Sequence, residues 1–216
     1  MGPRKANQPT LNRDDIVSAA ITIVDRDGLE DLSMRRLAKE LGTSTMSLYY
    51  HVPDKSALYD LILEAVMDEI DLTPDDPSQA PVERVVATAC ALRDALLAHP
   101  NAMPIALSRS LRTRAQLRPA EAMIGVMFEA GATPTEAITA VNIIGQYVYG
   151  TTAAHANHLA DGEYHDDVRE SDLGEATSGD FPNMARILAE GEYLGFDKEF
   201  NLGVRILAEG LLAPRD

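Results

Sequence analysis

Hydrophobic residues recur at helical spacing along most of the chain, and no segment shows the strict alternation that is typical of a β-strand. Between Arg13 and Asp27 the apolar residues follow the i, i+3, i+4, i+7 pattern of one buried helical stripe: Ile16, Ala19, Ala20, Ile23 and Val24. A second amphipathic segment extends from Asp54 to about Ile70. These patterns predict an all-α fold whose first helix is a scaffold.

The segment between these two helices predicts a helix-turn-helix motif. Ser33 can cap a first short helix through its hydroxyl, and Gly42 can end that helix by taking the left-handed conformation of a tight turn. Thr43 or Ser44 can then cap a second helix over Thr45–His51. Most side chains of this second helix would be left free to contact DNA.

In a helix-turn-helix motif the second helix enters the major groove with its N-terminal residues at the base edges. Leu48 is the residue of this helix that we expect to face inward. The candidates for base contacts lie in the first turn: Thr45, Met46 and Ser47. The candidates for phosphate contacts lie at the far end of the helix and at the start of the next one: Tyr49, Tyr50, His51 and Lys55. On spacing alone, ordinary packing in an all-helical protein explains the pattern equally well.

The net charge of −15 is concentrated outside this motif. Residues 1–60 carry eight Lys and Arg against nine Asp and Glu, whereas the remaining residues carry eleven against twenty-five. Basic residues of the first segment can form a local positive face that attracts phosphate: Arg4, Lys5, Arg13, Arg35, Arg36, Lys39 and Lys55. Arg4 and Lys5 lie in an N-terminal arm that either enters a minor groove or is simply disordered.

The run TPDDPSQAP predicts a domain boundary, which gives domains of residues 1–72 and 73–216. In the second domain we expect alanine-rich helices at Val82–Ala98, Pro104–Leu111, Pro119–Ala130, Pro134–Leu159, Phe181–Leu188 and Asp197–Ala213. The acidic segment at about 159–180 lacks helical periodicity and is predicted to be a mobile loop.

Several other classes of protein are disfavoured. No apolar run reaches membrane-spanning length and no secretory signal is present, which favours a cytoplasmic protein without a membrane partner. A helical enzyme would need a nucleophile–base pair or a metal cluster, and the sequence presents neither. Cys90, the only cysteine, is better explained as a small buried residue than as a redox sensor. His155 and His158 share a helical face, but surface histidines explain them more simply than a metal site, so we expect no metal and no cofactor.

Between Leu11 and Ile70 the chain contains LSMRRLAKELG, then LYYHV, then PDKSALYDLI. With these motifs it resembles the N-terminal domain of the tetracycline-repressor (TetR) family of transcription regulators. The resemblance continues more weakly in LRDALLAHPNAMPIALSR, MFEAGATPTEAITAVNIIGQYVYG and FDKEFNLGVRILAEGLL. It implies an N-terminal three-helix helix-turn-helix domain, joined by a connecting helix to a C-terminal helical domain that binds a ligand and forms a homodimer.

An effector of such a regulator should enter between the helices of the C-terminal domain, in a mainly apolar cavity. By position, the candidate lining residues are Leu92, Met103, Leu107, Met123, Met127 and Val141, with Arg109, Asn142 and Gln146 as polar anchors. Each apolar member can equally be ordinary core. Ile105 and Ala106 stand where the resemblance implies a magnesium-binding histidine in the tetracycline repressor, which argues against magnesium-tetracycline as the effector. A methionine-lined pocket suggests a larger apolar or aromatic compound.

The favoured interpretation is a repressor that binds a palindromic operator in double-stranded DNA as a homodimer and leaves it when a small molecule binds. A transcriptional activator with the same DNA-binding domain is the nearest alternative. A helical interaction module that does not bind DNA is the third.

Overall fold

The computed structural model describes residues 11–72, 76–109, 113–161, 181–191 and 194–213. Within these residues every regular element is helical, as the sequence pattern predicts. The α-helices are α1 (Arg13–Asp27), α2 (Met34–Glu40), α3 (Thr45–His51), α4 (Lys55–Asp68), α5 (Pro81–Ala98), α6 (Met103–Ser108), α7 (Arg114–Glu129), α8 (Pro134–Asp161), α9 (Pro182–Glu190) and α10 (Phe196–Leu212). Two short 3-10 helices occur at Leu29–Asp31 and Pro100–Ala102.

Local capping explains why the early helices begin where the sequence predicts. Asn12 opens α1 with a capping box, because its side chain accepts from the Asp15 amide at 2.8 Å while the Asp15 carboxylate accepts from the Asn12 amide at 3.3 Å. Asp54 opens α4 by accepting from the Ala57 amide at 2.7 Å. Such caps depend only on neighbouring residues and are therefore visible in the sequence.

Helix α7 begins earlier than the prediction based on Pro119. The Gln116 amide donates to the Thr113 hydroxyl at 3.4 Å, and the Thr113 amide donates to Gln116 Oε1 at 3.1 Å. This reciprocal cap starts the helix at Arg114, so Pro119 lies inside it rather than at its first position. Helix α6, in contrast, ends at Ser108, short of the predicted end.

The described chain forms two compact units. The first is made of residues 11–71 and 94–121, and the second of residues 72–93 and the described residues after 121. Residues 94–121, which the predicted ranges place in the second domain, are grouped here with the first unit.

Residues 94–121 belong to the first unit because their side chains bond to helices α1 and α4. Asn101 Nδ2 donates to the carbonyl oxygens of Val24 and Asp25, both at 3.1 Å. Arg109 donates to Asp60 Oδ1 at 2.8 Å. The core of this unit contains fully buried side chains from α1 to α4: Ile16, Ile23, Leu37, Leu48, Leu58 and Ile62.

The second unit is built on the packing of α8 against α10. Both helices contribute fully buried side chains: Ile144, Val148, Val204 and Ala208. The helices approach closely at Gly203, where a Cβ atom would overlap the hydroxyl of Tyr147. That hydroxyl donates to the carbonyl oxygen of Glu199 at 3.2 Å, so the Tyr147 ring is held over α10.

A buried arginine joins α5 to the same pair of helices. Arg93 Nη2 donates to Asp197 Oδ1 at 2.5 Å and to His155 Nδ1 at 2.9 Å. The guanidinium lies over the Phe200 ring at 4.8 Å, and the His155 ring stacks on Phe196 with 4.7 Å between centroids. A buried charge is tolerated when it is paired and hydrogen-bonded, so this network fixes α5, α8 and α10 together.

The acidic segment predicted as a mobile loop falls mostly outside the described residues. Helix α8 continues to Asp161, so residues 159–161 are helical rather than part of a loop. No helix within the described ranges is long and apolar enough to cross a membrane.

We expect Gly203→Ala to lower the free energy of unfolding by about 1–3 kcal/mol, because the added methyl group overpacks against Tyr147. Gly125→Ala is the matched control: a Cβ there meets open space inside α7, so alanine should raise the same free energy by about 0.5–1 kcal/mol. Urea denaturation measures both variants. Equal changes in the two would contradict the close approach of α8 and α10.

Candidate functional site

A tight turn separates α2 from α3. Gly42 has a φ of 62°, in the left-handed region that glycine adopts without steric cost. Its amide donates to the Lys39 carbonyl oxygen at 3.2 Å, and the Thr43 amide donates to the Ala38 carbonyl oxygen at 2.9 Å. These two bonds form a Schellman motif, which ends α2 and directs the chain into α3.

Helix α3 is capped by Ser44 and held by one buried side chain. The Ser47 amide donates to Ser44 Oγ at 3.2 Å, and the two serine hydroxyls lie 3.0 Å apart. Leu48 is fully buried, and so is Val52 just after the helix. The expected inward position of Leu48 agrees with the structure.

The other side chains of α3 are open to solvent. Three large ones are the most exposed: Tyr50 at 88%, Met46 at 76% and Tyr49 at 45%. Thr45, Ser47 and His51 are partly exposed. The Tyr50 ring meets His51 edge-to-face, with centroids 5.3 Å apart. The exposed apolar and aromatic groups of this short helix make it a candidate interaction surface.

Two neighbouring arginines of α2 differ in their electrostatic roles. Arg36 forms ion pairs with Asp27 and Asp31, so its charge is balanced within the first unit. Arg35 is exposed and forms no ion pair with the residues that the structure describes. The sequence grouped both in one positive face, but only Arg35 retains an unbalanced charge for a phosphate.

Lys55, the first residue of α4, is exposed and lies over an aromatic ring. Its Nζ is 5.3 Å from the ring centroid of Tyr59, which orients the ammonium group near the start of the helix. A cation at a helix N-terminus suits a phosphate. Tyr59 is not among the predicted site residues, although its i, i+4 spacing from Lys55 is visible in the sequence.

Three predicted pocket residues belong to the first unit. Arg109 donates to Ser56 Oγ at 3.0 Å in addition to Asp60, so in this structure it holds α4. Met103 is buried in the same unit, and Leu107 is 55% exposed. Of the three, only Met103 is a buried apolar residue, and the guanidinium of Arg109, predicted as a polar anchor, is bonded to α4.

The remaining predicted pocket residues lie in the second unit. Four of them are buried: Leu92, Met123, Met127 and Val141. The two predicted polar anchors on α8, Asn142 and Gln146, are instead exposed. The reason is helical geometry, because the buried face of α8 passes through Val141, Ile144 and Val148, and the anchors lie off that face.

A polar group that sequence analysis missed lies on this buried face. Thr152 is fully buried, and its hydroxyl has no hydrogen-bond partner among the residues described. The neighbouring Thr151 hydroxyl, in contrast, donates to the Tyr147 carbonyl oxygen one turn earlier, at 2.7 Å. A buried hydroxyl without a partner costs about 1–3 kcal/mol, so Thr152 is a candidate contact for a bound molecule.

His155, His158 and Cys90 are the candidates for a metal site or a redox site. His155 is buried and bonded to Arg93, and the side chain of His158 lies outside the description. Across the described ranges no group of His, Cys, Asp and Glu has a geometry that could hold a metal ion. Cys90 is half-buried, with its Sγ 3.2 Å from Asn201 Oδ1.

The chain matches the sequence models of two protein families. Residues 16–62 match the family described as bacterial regulatory proteins, tetR family. Residues 73–215 match the tetracyclin repressor-like C-terminal domain. The first match contains the whole helix-turn-helix motif and the exposed face of α3.

Similar proteins of known name are regulators. An HTH-type transcriptional regulator from Saccharopolyspora erythraea is 32% identical over 207 residues, which cover 95% of this chain and 86% of the relative. The HTH-type transcriptional repressor DrrR1 from Streptomyces coeruleorubidus is 32% identical over 195 residues, 88% of this chain and 69% of that protein. The TetR family protein ActR from Streptomyces coelicolor, solved in complex with actinorhodin, is 28% identical and superposes with a TM-score of 0.80 over 94% of this chain and 97% of ActR.

We expect Ser44→Ala to lower the free energy of unfolding by about 1 kcal/mol, because the first turn of α3 loses its side-chain cap. Ser44→Asn is the control, since asparagine caps a helix about as well as serine. Both are measured by urea denaturation. An asparagine variant as weak as the alanine variant would show that Ser44 does not act as a cap.

Proposed function

We propose that this chain, which belongs to the TetR family of bacterial transcriptional regulators, is a repressor that a small molecule releases from DNA. In this proposal it binds a palindromic operator as a homodimer, and an effector bound in the second unit weakens that binding. The family consists of transcription factors rather than enzymes. A regulator that acts on bacterial DNA works in the cytoplasm.

The observation that carries the proposal is the free surface of α3. A helix fits the major groove, which is about 12 Å wide, only if its outward side chains are not used inside the protein. In α3 only Leu48 is buried, and Arg35 and Lys55 beside the motif form no ion pair with the described residues. The exposed side chains of α3 and the two cations beside it support the proposal that this surface binds DNA, which is a polyanion.

The roles within this surface follow from position. Thr45, Met46 and Ser47, in the first turn of α3, are proposed to contact base edges, and the Met46 side chain suits a thymine methyl group. The remaining predicted residues are proposed to bind the phosphate backbone and fix the register: Arg35, Tyr49, Tyr50, His51 and Lys55.

The proposed homodimer rests on exposed apolar side chains of α8 and α10. Ile143 and Ile138 on α8 and Leu202 and Ile206 on α10 are large, apolar and exposed in the single chain. Gly150 and Gly210 leave open space beside these helices, which permits a close approach of a second copy. Two copies match the two-fold symmetry of a palindromic operator.

The proposed effector site lies on the buried face of α8 in the second unit. Leu92, Met123, Met127 and Val141 supply apolar, partly flexible surface, and the Thr152 hydroxyl supplies one polar contact. The structure of ActR was solved in complex with actinorhodin. Because ActR is similar to this chain, actinorhodin is a reasonable first compound to test for binding at the proposed site. The chemistry of the site favours a largely apolar molecule with an oxygen atom that can bond to Thr152.

Release from DNA requires that the effector bind one conformation better than another. The coupling is reciprocal, so operator DNA must weaken effector binding by the same factor as the effector weakens DNA binding. Coupling of this kind typically amounts to about 5–150-fold.

We expect the purified protein to enrich a short palindrome from fragmented genomic DNA of its source, with two chains bound per duplex. Arg35→Ala and Lys55→Ala should each weaken binding to all sequences and reduce the slope of log K against log salt by about 2, because a dimer loses two phosphate contacts at about 0.9 each. Met46→Ala should instead change the preferred sequence and leave the salt slope unchanged. Selection followed by sequencing and salt titration measure these effects.

Arg186→Ala is the matched control for charge. Arg186 is exposed on α9 and, within the part of the chain that the structure describes, pairs only with Glu190 in the adjacent turn, so its removal should leave operator binding unchanged. Equal losses for Arg186→Ala and Arg35→Ala would show non-specific attraction rather than an interface centred on α3. A protein that enriches no sequence at any salt concentration would refute the proposed DNA binding.

We expect Thr152→Val to stabilise the unliganded protein by about 1 kcal/mol or more, because it replaces an unpartnered buried hydroxyl with a methyl group of similar shape. The same variant should weaken release of the operator by actinorhodin or by another aromatic compound with a polar oxygen. Urea denaturation and operator binding with added compound measure the two effects.

Thr151→Val is the control, because the Thr151 hydroxyl is satisfied by the Tyr147 carbonyl oxygen at 2.7 Å. It should lower the free energy of unfolding rather than raise it. A Thr152→Val variant that is destabilised would mean that the hydroxyl has a partner in the free protein, and would remove Thr152 from the effector site.

A further inference from the structure

His99 joins the C-terminal ends of two scaffold helices in the first unit. Its Nδ1 lies 2.8 Å from Asp25 Oδ2, near the end of α1, and its Nε2 lies 3.1 Å from Glu69 Oε2, just after α4. The His99 side chain is only 13% exposed, whereas both carboxylates reach solvent. A single imidazole therefore bridges two helices that support the helix-turn-helix motif.

The geometry requires a particular protonation state. A neutral imidazole has one N–H donor and one lone pair, so it can donate to only one of two carboxylates. The other carboxylate would then face a lone pair. Only the imidazolium form donates from both nitrogen atoms, and the two contacts of His99 thus correspond to a positively charged ring.

Several charged groups near His99 affect the protonation of its ring. Asp25 is the carboxylate from α1, and Glu69 is the carboxylate from the end of α4. Arg118 of α7 approaches the same end of α4, 3.4 Å from the Ile70 carbonyl oxygen and 3.7 Å from Asp68. Beside His99, Asn101 bonds to the last carbonyl groups of α1. The two carboxylates in direct contact with the ring outweigh this one arginine, whose own partner is Asp68.

We propose that His99 is a proton-operated clamp: its imidazolium holds the ends of α1 and α4 together through Asp25 and Glu69, and loss of one proton releases one of the two helices. The clamp differs from the proposed operator and effector sites, because it responds to pH alone. The stability of the first unit, which contains α3, would then depend on pH within the physiological range.

The direction of this dependence follows from the charges. Burial alone would lower the pKa of His99, but the hydrogen bonds to Asp25 and Glu69 outweigh it, so the pKa lies above its ordinary value of 6.5. The clamp is therefore closed below about pH 6.5 and is lost as the pH rises through the higher pKa of the folded protein. Stability should fall with rising pH across this window.

The test uses the full chain and needs neither DNA nor effector. NMR titration of the histidine rings should give a pKa for His99 above that of a free histidine, and Asp25→Asn or Glu69→Gln should lower it. The urea midpoint of the wild-type protein should fall between pH 6 and pH 8, and His99→Gln should remove this pH dependence. Hydrogen exchange of the Gly28 and Ile70 amides, corrected for intrinsic rate, should become faster over the same range in the wild type only.

Two matched variants control for general effects of charge and of histidine removal. Glu209→Gln removes an exposed carboxylate from α10 in the second unit, and His51→Gln removes a histidine from α3; neither should alter the pH dependence. A His99 pKa at or below that of free histidine would overturn the proposal, as would an unchanged pH dependence in His99→Gln. Because these readouts involve no DNA, a failure of the proposed operator binding would leave them interpretable.

Discussion

The proposed DNA-binding surface of this protein depends on the burial of Leu48. A helix of seven residues does not persist alone in water, because its nucleation is costly and few backbone bonds follow. Helix α3 is nevertheless well formed, since Ser44 caps its first turn and Leu48 anchors it in the core of the first unit. One buried position is enough to hold the helix, and six positions remain for contact with a partner. Burying more side chains of α3 would stabilise the helix but would leave fewer of them to contact a partner.

Because α3 has so few buried contacts of its own, its position depends on how rigidly the helices beneath it are packed. Helices α1, α2 and α4 provide the apolar core, and residues 94–121 reinforce it from outside the helix-turn-helix motif. His99 and Asn101 bond to the end of α1, and Arg109 bonds to the first turns of α4. The core that supports α3 is thus completed by a segment that is distant in sequence. A change of charge or position in that segment acts directly on the helices that carry α3.

The same contrast between local and distant contacts decides how far the sequence predicts the structure. The bounds of α1 and α3 are correct because capping residues and helical stripes lie within each segment. The membership of residues 94–121 depends on hydrogen bonds across about 75 positions, which no local pattern contains. For the same reason the apolar pattern does not distinguish buried Met127 from exposed Leu107. The unpartnered hydroxyl of Thr152 depends in the same way on how α8 is buried, which a local pattern does not predict.

Electrostatics lead to a related conclusion about function. A net charge of −15 would argue against a nucleic-acid partner if charge acted only as a total. Phosphate contacts act over a few ångströms, and salt screens the rest beyond about 10 Å. What matters is therefore whether a particular cation is already paired. Arg36 is paired with Asp27 and Asp31, whereas Arg35, its neighbour in sequence, has no such partner among the described residues. Intramolecular pairing, more than composition, determines which of the basic residues can serve an interface with DNA.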